Sequence, residues 1–282
     1  MAKKRESTYK PLLFTTTVRN PERMKRLLNI LSKFNGEILT SELAESIIAE
    51  LIKYGVYRPM KISNSVKEKW STSKKGEFSE TLLTDGEVTE ILVNNPQHHK
   101  EAGFDKGWAS RFATYFDFAK ELGFVYYWTN EQIEFSEIGL KLANSIQVDV
   151  DGDTILVSEP HPEFEQQAFL QALAKYQRNS PFIRVLNDNV PLVLLLQVIK
   201  KLNDDPEYNG AGISKLEIPL ILYWKDNDSE ALYQRIKQLR EEHSYNPSWE
   251  IVTEICRDEI MEVTDVERDH KSIMVDYPDE FI

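Results

Sequence analysis

The sequence predicts an α+β protein that is mainly α-helical with small β-hairpins and is built from tandem winged-helix and helix-turn-helix subdomains. Most segments of the 282-residue chain carry apolar residues at helical spacing, three or four positions apart. Between residues 104 and 145 the pattern becomes helix, tight turn, two short strands and helix, which is the order expected around the hairpin of a winged helix. A second pair of helices joined by a short polar turn follows later in the chain.

Size and composition are those of a globular protein without a membrane span. The chain is long enough for one large or two ordinary domains. No apolar run reaches the roughly 18–20 residues that a spanning helix requires. The single cysteine, Cys256, excludes an internal disulfide and is typical of a reducing compartment. We therefore expect a cytoplasmic protein with no membrane partner, and we expect Cys256 to be buried in a helical core.

Charge is distributed unevenly along this acidic chain, whose formal net charge is -12. Residues 1–75 contain sixteen Lys and Arg against seven Asp and Glu, whereas the remainder contains 18 against 39. The acidic remainder repels phosphate, so any binding of nucleic acid has to be confined to a local basic surface. The N-terminal part is the best candidate for that surface.

The first helix is predicted to begin at Asn20 and Pro21, because asparagine caps free amides and proline fits the first helical turn. Its apolar stripe leaves basic side chains on the other side, and a second helix is expected over about 41–53. The predicted phosphate contacts on this basic surface are Arg19, Arg23 and Arg26. The alternative is an ordinary solvated helix face beside the core.

The helix expected over 106–121 is the predicted recognition helix of the winged helix. Its outward side carries Lys106, Ser110 and Thr114, with Arg111 at the boundary and acidic residues only toward the C-terminal end. Recognition helices contact base edges chiefly through their N-terminal residues. These four residues are therefore predicted to contact bases in the major groove, the alternative being a winged helix that binds protein.

Segment 145–160 is predicted to divide the chain into two parts. Residues 1–148 would hold the basic helical unit and the winged helix for DNA recognition, and residues 149–282 a second, helix-turn-helix-like subdomain. The second helix of that later pair carries the basic residues Arg235, Lys237 and Arg240. Glutamates on the same helix make its DNA-binding signal weaker than that of the first part.

Sequence motifs for the common catalytic chemistries are missing. The chain has no phosphate-binding, dinucleotide-binding, serine-hydrolase or zinc-protease motif. Metal-dependent phosphodiester cleavage requires clustered carboxylates, and one segment offers Asp204, Asp205, Glu207, Lys215 and Glu217. Because their order is reversed and they span a predicted loop, we expect a polar surface there and assign no catalytic residue and no metal ligand. The alternative is an intact nuclease that uses this cluster.

Several phrases of the sequence resemble the AlwI family of type IIS restriction and nicking endonucleases. They occur in family order along most of the chain: FTTTVRNPERMKRLLNILSKFNGEILT with LIKYGVYRP, then ASRFATYFDFAKELGFVYYWTNEQIEFSEIGLKLANS, then GISKLEIPLILYWKDNDSEALYQRIKQLREE. The first phrase is distinctive, whereas the winged-helix phrase is shared by many DNA-binding proteins.

The resemblance implies a modular type II site-specific deoxyribonuclease. Its N-terminal winged-helix subdomains would recognise a short asymmetric site in double-stranded DNA, and a C-terminal PD-(D/E)xK domain would cut outside that site with Mg²⁺. On that plan the sequence ends before the catalytic domain, so we expect this chain to be catalytically silent, without a cofactor of its own, and served by a separate nuclease domain or subunit. The alternative is a tandem winged-helix transcription regulator or scaffold protein.

Overall fold

The computed structural model describes Val18, Phe104 and residues 20–98, 107–176, 190–208, 212–224 and 226–256. These residues belong to two compact units, of which one spans Phe14–Ala172 and the other includes the described residues from Leu173 onward. Helices predominate in both, and two small antiparallel hairpins accompany them, which confirms the predicted mainly helical α+β class.

The first unit contains most of the elements. They are α1 (Pro21–Ser32), α2 (Ser41–Lys53), α3 (Asn64–Lys69), α4 (Asp85–Asn94), a 3-10 helix (Trp108–Ser110), α5 (Arg111–Glu121), β1 (Val125–Tyr126), β2 (Glu134–Phe135), α6 (Glu137–Ala143), β3 (Gln147–Asp151), β4 (Thr154–Ser158) and α7 (Glu163–Lys175), which runs across the division at Ala172. The second unit contains α8 (Pro191–Asp204), α9 (Ile218–Tyr223), α10 (Ser229–His243) and α11 (Trp249–Glu254).

Local capping determines where the first two helices begin. The side chain of Asn20 accepts a hydrogen bond from the Glu22 amide at 2.9 Å, and Pro21 occupies the first turn of α1. Thr40 caps α2 by accepting from the Leu43 amide at 3.2 Å. Both helices bury the apolar stripes read from the sequence, so the predicted helix starts and core faces are confirmed.

The hairpin that follows α5 is joined by a third extended segment. Strands β1 and β2 pair Val125 with Phe135 and Tyr126 with Glu134, a shorter ladder than the sequence predicts. Residues 36–39, between α1 and α2, lie antiparallel along the end of this hairpin. Their contacts include Gly36 N to Ile133 O at 2.7 Å and Leu39 N to Glu131 O at 2.8 Å. The segment between the first two helices therefore closes one edge of the hairpin.

A second hairpin occupies segment 145–160, which the sequence predicts to divide the chain. Strands β3 and β4 pair over five residue pairs around a two-residue loop, where Gly152 has φ +64° as tight hairpin turns require. The hairpin also bonds to the chain after α3, with Ile155 N donating to Glu80 O at 2.9 Å. The compact first unit thus continues past the division placed after residue 148, and the assignment of a function to each part stays a prediction.

The second unit is a small bundle around one apolar core. Asp228 begins α10 by accepting from the amides of Glu230 and Ala231 at 3.0 and 2.9 Å, as the sequence predicts. The core is formed by buried residues from all four helices, chiefly Leu194, Val198, Leu202, Leu220, Leu232, Ile236, Leu239 and Val252. Cys256 is fully buried in the same core, which confirms its predicted structural place.

Gly139 allows α6 to pack directly on the chain that enters the hairpin. A Cβ atom at position 139 would lie 1.9 Å from the carbonyl oxygen of Phe124. That oxygen also accepts from the amide of Ser136, the residue that caps α6, at 3.1 Å. The contact can therefore open only if the cap of α6 is disturbed.

We expect Gly139→Ala to lower the free energy of unfolding by about 3 kcal/mol, because the added methyl group overpacks against backbone. Gly86→Ala is the matched control, since Gly86 lies in α4 and a Cβ atom there would have no neighbour closer than 4.0 Å. There the helix should gain about 0.5 kcal/mol. Urea denaturation of both variants measures the difference, and equal stabilities would contradict the close approach at Gly139.

Candidate nucleic-acid interface

The basic residues of α1 are directed into the first unit rather than away from it. Lys25 is 3% exposed, and its Nζ lies 2.5 Å from Glu22 Oε2, 3.0 Å from Glu165 Oε2 and 3.3 Å from Glu159 Oε1. Glu165 lies in α7 and Glu159 in the chain just before it. One ammonium group therefore links α1 to the chain that follows the second hairpin.

Opposite charges maintain the ionised state of this cluster despite its burial. Burial by itself disfavours the ammonium of Lys25, but the carboxylates of Glu22 and Glu165 outweigh it and raise the Lys25 pKa. Burial likewise opposes ionisation of Glu22, and Lys25 and Arg26 together lower the pKa of that carboxyl below its ordinary value. The cluster thus neutralises charge that the sequence alone would assign to DNA binding.

Arg23 and Arg26 lie on the same side of α1 and pack on aromatic rings. The guanidinium of Arg26 pairs with Glu22 and sits 5.1 Å from the centre of the Phe78 ring. That of Arg23 sits 5.6 Å from the centre of the Tyr115 ring. Both arginines are half-buried. The structure therefore brings together two of the three predicted phosphate contacts, and the third, Arg19, lies outside the described residues.

The predicted base-contacting residues at the start of α5 differ in accessibility. Ser110 is fully buried, and its Oγ donates to the carbonyl of Gly107 at 2.7 Å. Arg111 is half-buried and its Nε donates to Gln97 Oε1, while Thr114 is also half-buried. Lys106 lies outside the described residues. Among the described members of the set, Arg111 and Thr114 are the ones with side chains at the surface of the unit.

Helix α5 is more enclosed than a helix with one open face. Each of its residues is buried or half-buried, including the polar side predicted to face outward. On that side, burial and the nearby charge of Asp117 raise the pKa of Glu121 to about 7. The half-burial of Glu121 is the main cause of this shift, so the polar side of α5 is not a freely hydrated surface.

The tip of the first hairpin carries an exposed aromatic side chain that the site prediction did not include. Trp128 is 48% exposed, and Lys120 Nζ lies 3.5 Å from the centre of its ring. Lys120 also donates to the carbonyl of Tyr127 at 2.9 Å, so one side chain of α5 holds the chain at the hairpin tip. The sequence signal for an exposed ring here is the aromatic run FVYYW before a polar turn, since one of its rings must face away from the core.

A second surface outside the predicted set lies between α2 and α4. We call residues 60–75, which include α3, the lysine strap. It contains five lysines and one glutamate, and its exposed cations are Lys61, Lys67, Lys74 and Lys75. In the sequence this stretch is polar and basic around Trp70, which is buried in the structure.

In the second unit, the basic residues noted on α10 are largely engaged within the fold. Arg240 is buried, with Nε 2.7 Å from Glu217 Oε1 and a terminal nitrogen 2.9 Å from Glu217 Oε2. Lys237 lies 2.9 Å from Asp205 Oδ2 and 3.5 Å from Glu207 Oε2. These contacts join the loop after α8 to α10.

The same contacts decide whether the acidic segment around Asp205 suits Mg²⁺. Tyr233 and Lys237 both bind Asp205 and lower its pKa to about 2, while Glu217 belongs to the pair with Arg240. Asp204 pairs with Lys200 instead. Across the described ranges no group of three or more His, Cys, Asp or Glu side chains could hold a metal ion. The described carboxylates therefore do not fit a Mg²⁺ site.

Comparison with known proteins gives a family match over the C-terminal part of the chain. A family model described as AlwI restriction endonuclease matches residues 120–282, which is more than half of the sequence. No curated protein matches the chain. Among the described helices, none combines the length and the apolar character needed to cross a bilayer.

Lys25→Met should lower the free energy of unfolding at neutral pH by about 1–3 kcal/mol, because it leaves three partly exposed carboxylates without their shared cation. Glu22, with its lowered pKa, contributes stability above about pH 4.5 and loses it as the pH falls through its folded-state pKa. The penalty of the substitution should therefore shrink in acid. Urea denaturation at pH 7 and pH 4 measures both effects.

Lys141→Met is the matched control, since Lys141 is exposed and pairs with exposed Glu137 at 2.9 Å. Its loss should lower the free energy of unfolding far less than the loss of Lys25, because solvent screens this exposed pair. If the two lysine variants were equally stable at pH 7, the Lys25 cluster would not have the structural role that its burial indicates.

Glu121→Gln should alter the pH dependence of stability. The pKa of Glu121 is raised to about 7 in the folded state, so the folded protein binds this proton more tightly than the unfolded chain does. The resulting contribution to the free energy of unfolding is fully present below about pH 4.5 and is lost as the pH rises to 7. The variant should lack this fall and exceed the parent by about 1–3 kcal/mol at pH 8. Glu137→Gln is the control with the opposite sign, since Lys141 lowers the Glu137 pKa. Thermal unfolding from pH 4 to 8 distinguishes them.

Proposed function

The chain belongs to the AlwI restriction endonuclease family, a family of type II restriction enzymes, and on that premise we propose that it recognises a short asymmetric site in double-stranded DNA as part of a type IIS enzyme. Within a restriction–modification system this is the step that selects where hydrolysis takes place. Base contacts would confer specificity, and phosphate contacts would position the protein on the duplex.

The order of elements in the first unit is the observation that carries the proposal. Helices α1, α2 and α5 are followed by the hairpin β1–β2, and residues 36–39 between α1 and α2 pair with the hairpin's second half. Three helices and a three-segment hairpin in that chain order support a winged helix, with α5 as its third helix. Residues 54–107 are then an insertion between the second and third helices.

Two described side chains of α5 support base contacts near its N-terminus. Arg111 and Thr114 reach the surface of the unit, and arginine can contact guanine through two parallel hydrogen bonds. Ser110 would need a rearrangement of the 3-10 helix to reach a base, because its hydroxyl is buried on Gly107. The hairpin tip with Trp128 and Lys120 offers a second contact beside the helix.

Hydrolysis itself we assign to a separate nuclease domain or subunit that binds Mg²⁺. The support is that two of the candidate carboxylates already form ion pairs within the second unit, Asp205 with Lys237 and Glu217 with Arg240. A transcription regulator of similar architecture would differ in symmetry, since such proteins commonly dimerise on palindromic sites.

Selection of bound duplexes from a random pool tests the proposal directly. We expect enrichment of one short asymmetric sequence that is bound by a monomer, and no strand cleavage when the selected duplex is incubated with the chain and Mg²⁺. A palindromic product bound by a dimer would favour the regulator. Failure to enrich any sequence would overturn the recognition role, and magnesium-dependent nicking would overturn the separate nuclease.

Arg111→Ala should then change the preferred sequence. Loss of one good base contact costs about 1–3 kcal/mol of discrimination at one base pair, while the affinity for other sequences changes little. Lys200→Ala, which removes an exposed charge from α8, is the control and should leave the preference unchanged. An Arg111 variant that binds all duplexes equally weakly would indicate a structural role through Gln97 instead.

A further inference from the structure

We propose that the lysine strap is the surface through which the first unit contacts the phosphates of duplex DNA. This inference rests on the proposed function and adds to it the place of the sequence-independent contacts. It also differs from the sequence-based expectation, which places those contacts on α1.

Most lysine side chains of the strap are exposed to solvent. Lys61, Lys67 and Lys75 are exposed, and in the described part of the chain no carboxylate lies within ion-pair distance of them. Lys67 contacts only a neutral amide, Asn64 Oδ1, at 3.4 Å. Lys74 has an 87% exposed side chain and a long 3.9 Å contact to Glu77. These ammonium groups carry most of the positive charge of the segment.

The backbone beneath these lysines is held in place by one arginine. Arg58 donates from Nε to the carbonyl of Gly55 at 2.7 Å and from its terminal nitrogens to the carbonyl and hydroxyl of Ser73 at 2.9 and 2.6 Å. Its guanidinium also lies 5.4 Å from the centre of the Trp70 ring. One half-buried side chain therefore joins the chain just before the strap to the strap's C-terminal end.

A second anchor fixes the start of the strap. The side chain of Asn95 accepts from the amide of Lys61 at 3.0 Å and donates to the carbonyl of Lys61 at 2.7 Å. A surface whose backbone is already ordered loses less conformational entropy on binding than a free loop. The lysine side chains themselves are exposed, as suits contacts to phosphates spaced along a duplex.

Ion pairing distinguishes the strap from α1 as the place of the phosphate contacts. In α1, Lys25 is buried among carboxylates and Arg26 pairs with Glu22, so contact with phosphate would require these pairs to break. The strap lysines need no such exchange. Because the whole chain is acidic, a local cluster of unpaired cations is where the attraction to a polyanion is concentrated. Lysine acts as a hydrated point charge and suits phosphate better than base readout.

The test compares two triple substitutions that remove the same charge. One variant carries Lys61→Gln, Lys67→Gln and Lys75→Gln. The control carries Lys33→Gln, Lys141→Gln and Lys200→Gln, three exposed lysines outside the strap. The affinity of each for the selected duplex and for a scrambled duplex is measured over a series of salt concentrations.

We expect the strap variant to bind both duplexes on the order of tenfold or more weakly at low salt, with the slope of log K against log salt reduced by about two to three. The ratio between the selected and scrambled duplexes should not change. The control should keep nearly the parent slope. A third variant with arginine at the three strap positions should retain the slope, because it preserves the charge.

The outcomes separate this inference from the proposed function. If the strap and control variants have the same slope while the parent still prefers its selected site, the strap is not in the interface and only this inference is overturned. If the random pool yields no preferred duplex, the recognition role is overturned, and the salt slope on any duplex still tests the strap. Equal urea midpoints for the three variants exclude unfolding as the cause of weaker binding.

Discussion

The buried ammonium of Lys25 is the interaction on which the arrangement of the first unit depends. It lies among three carboxylates that come from α1, from the chain after the second hairpin and from α7. A lysine enclosed to this degree is stable only where carboxylates replace its lost hydration. The helix that begins the described chain is thereby fixed to the helix that ends the first unit, and its neighbouring arginines are directed inward with it.

The local parts of this structure could be predicted from the sequence because their causes are local. Asn20, Thr40 and Asp228 each cap a helix within three residues of themselves. The apolar spacing located the buried faces, and the aromatic run before a polar turn located the first hairpin. The second hairpin lies in segment 145–160, which the sequence predicts to divide the chain, although a loop beginning with glycine is also a hairpin signal.

The accessibility of the candidate site could not be predicted in the same way. Whether a cation faces solvent depends on partners distant in sequence, such as Glu165 for Lys25 and Tyr115 for Arg23. The burial of Ser110 follows from the 3-10 helix that precedes α5, where the sequence predicts a regular helix. Charge counted along the chain therefore indicates a basic region without showing which of its side chains are engaged within the fold.

Arginine and lysine differ in how far they are buried in this protein. Each described arginine is buried or half-buried, whereas most described lysines are exposed. The guanidinium group can satisfy several acceptors at once, as Arg58 does with two carbonyls and a hydroxyl and as Arg240 does with both oxygens of Glu217. An ammonium group on a flexible stem is better hydrated and, where no carboxylates enclose it as they do at Lys25, it stays at the surface. In this acidic protein the described arginines thus lie mainly within the fold, whereas most described lysines, Lys25 apart, lie at the surface, where we propose that those of the strap contact DNA.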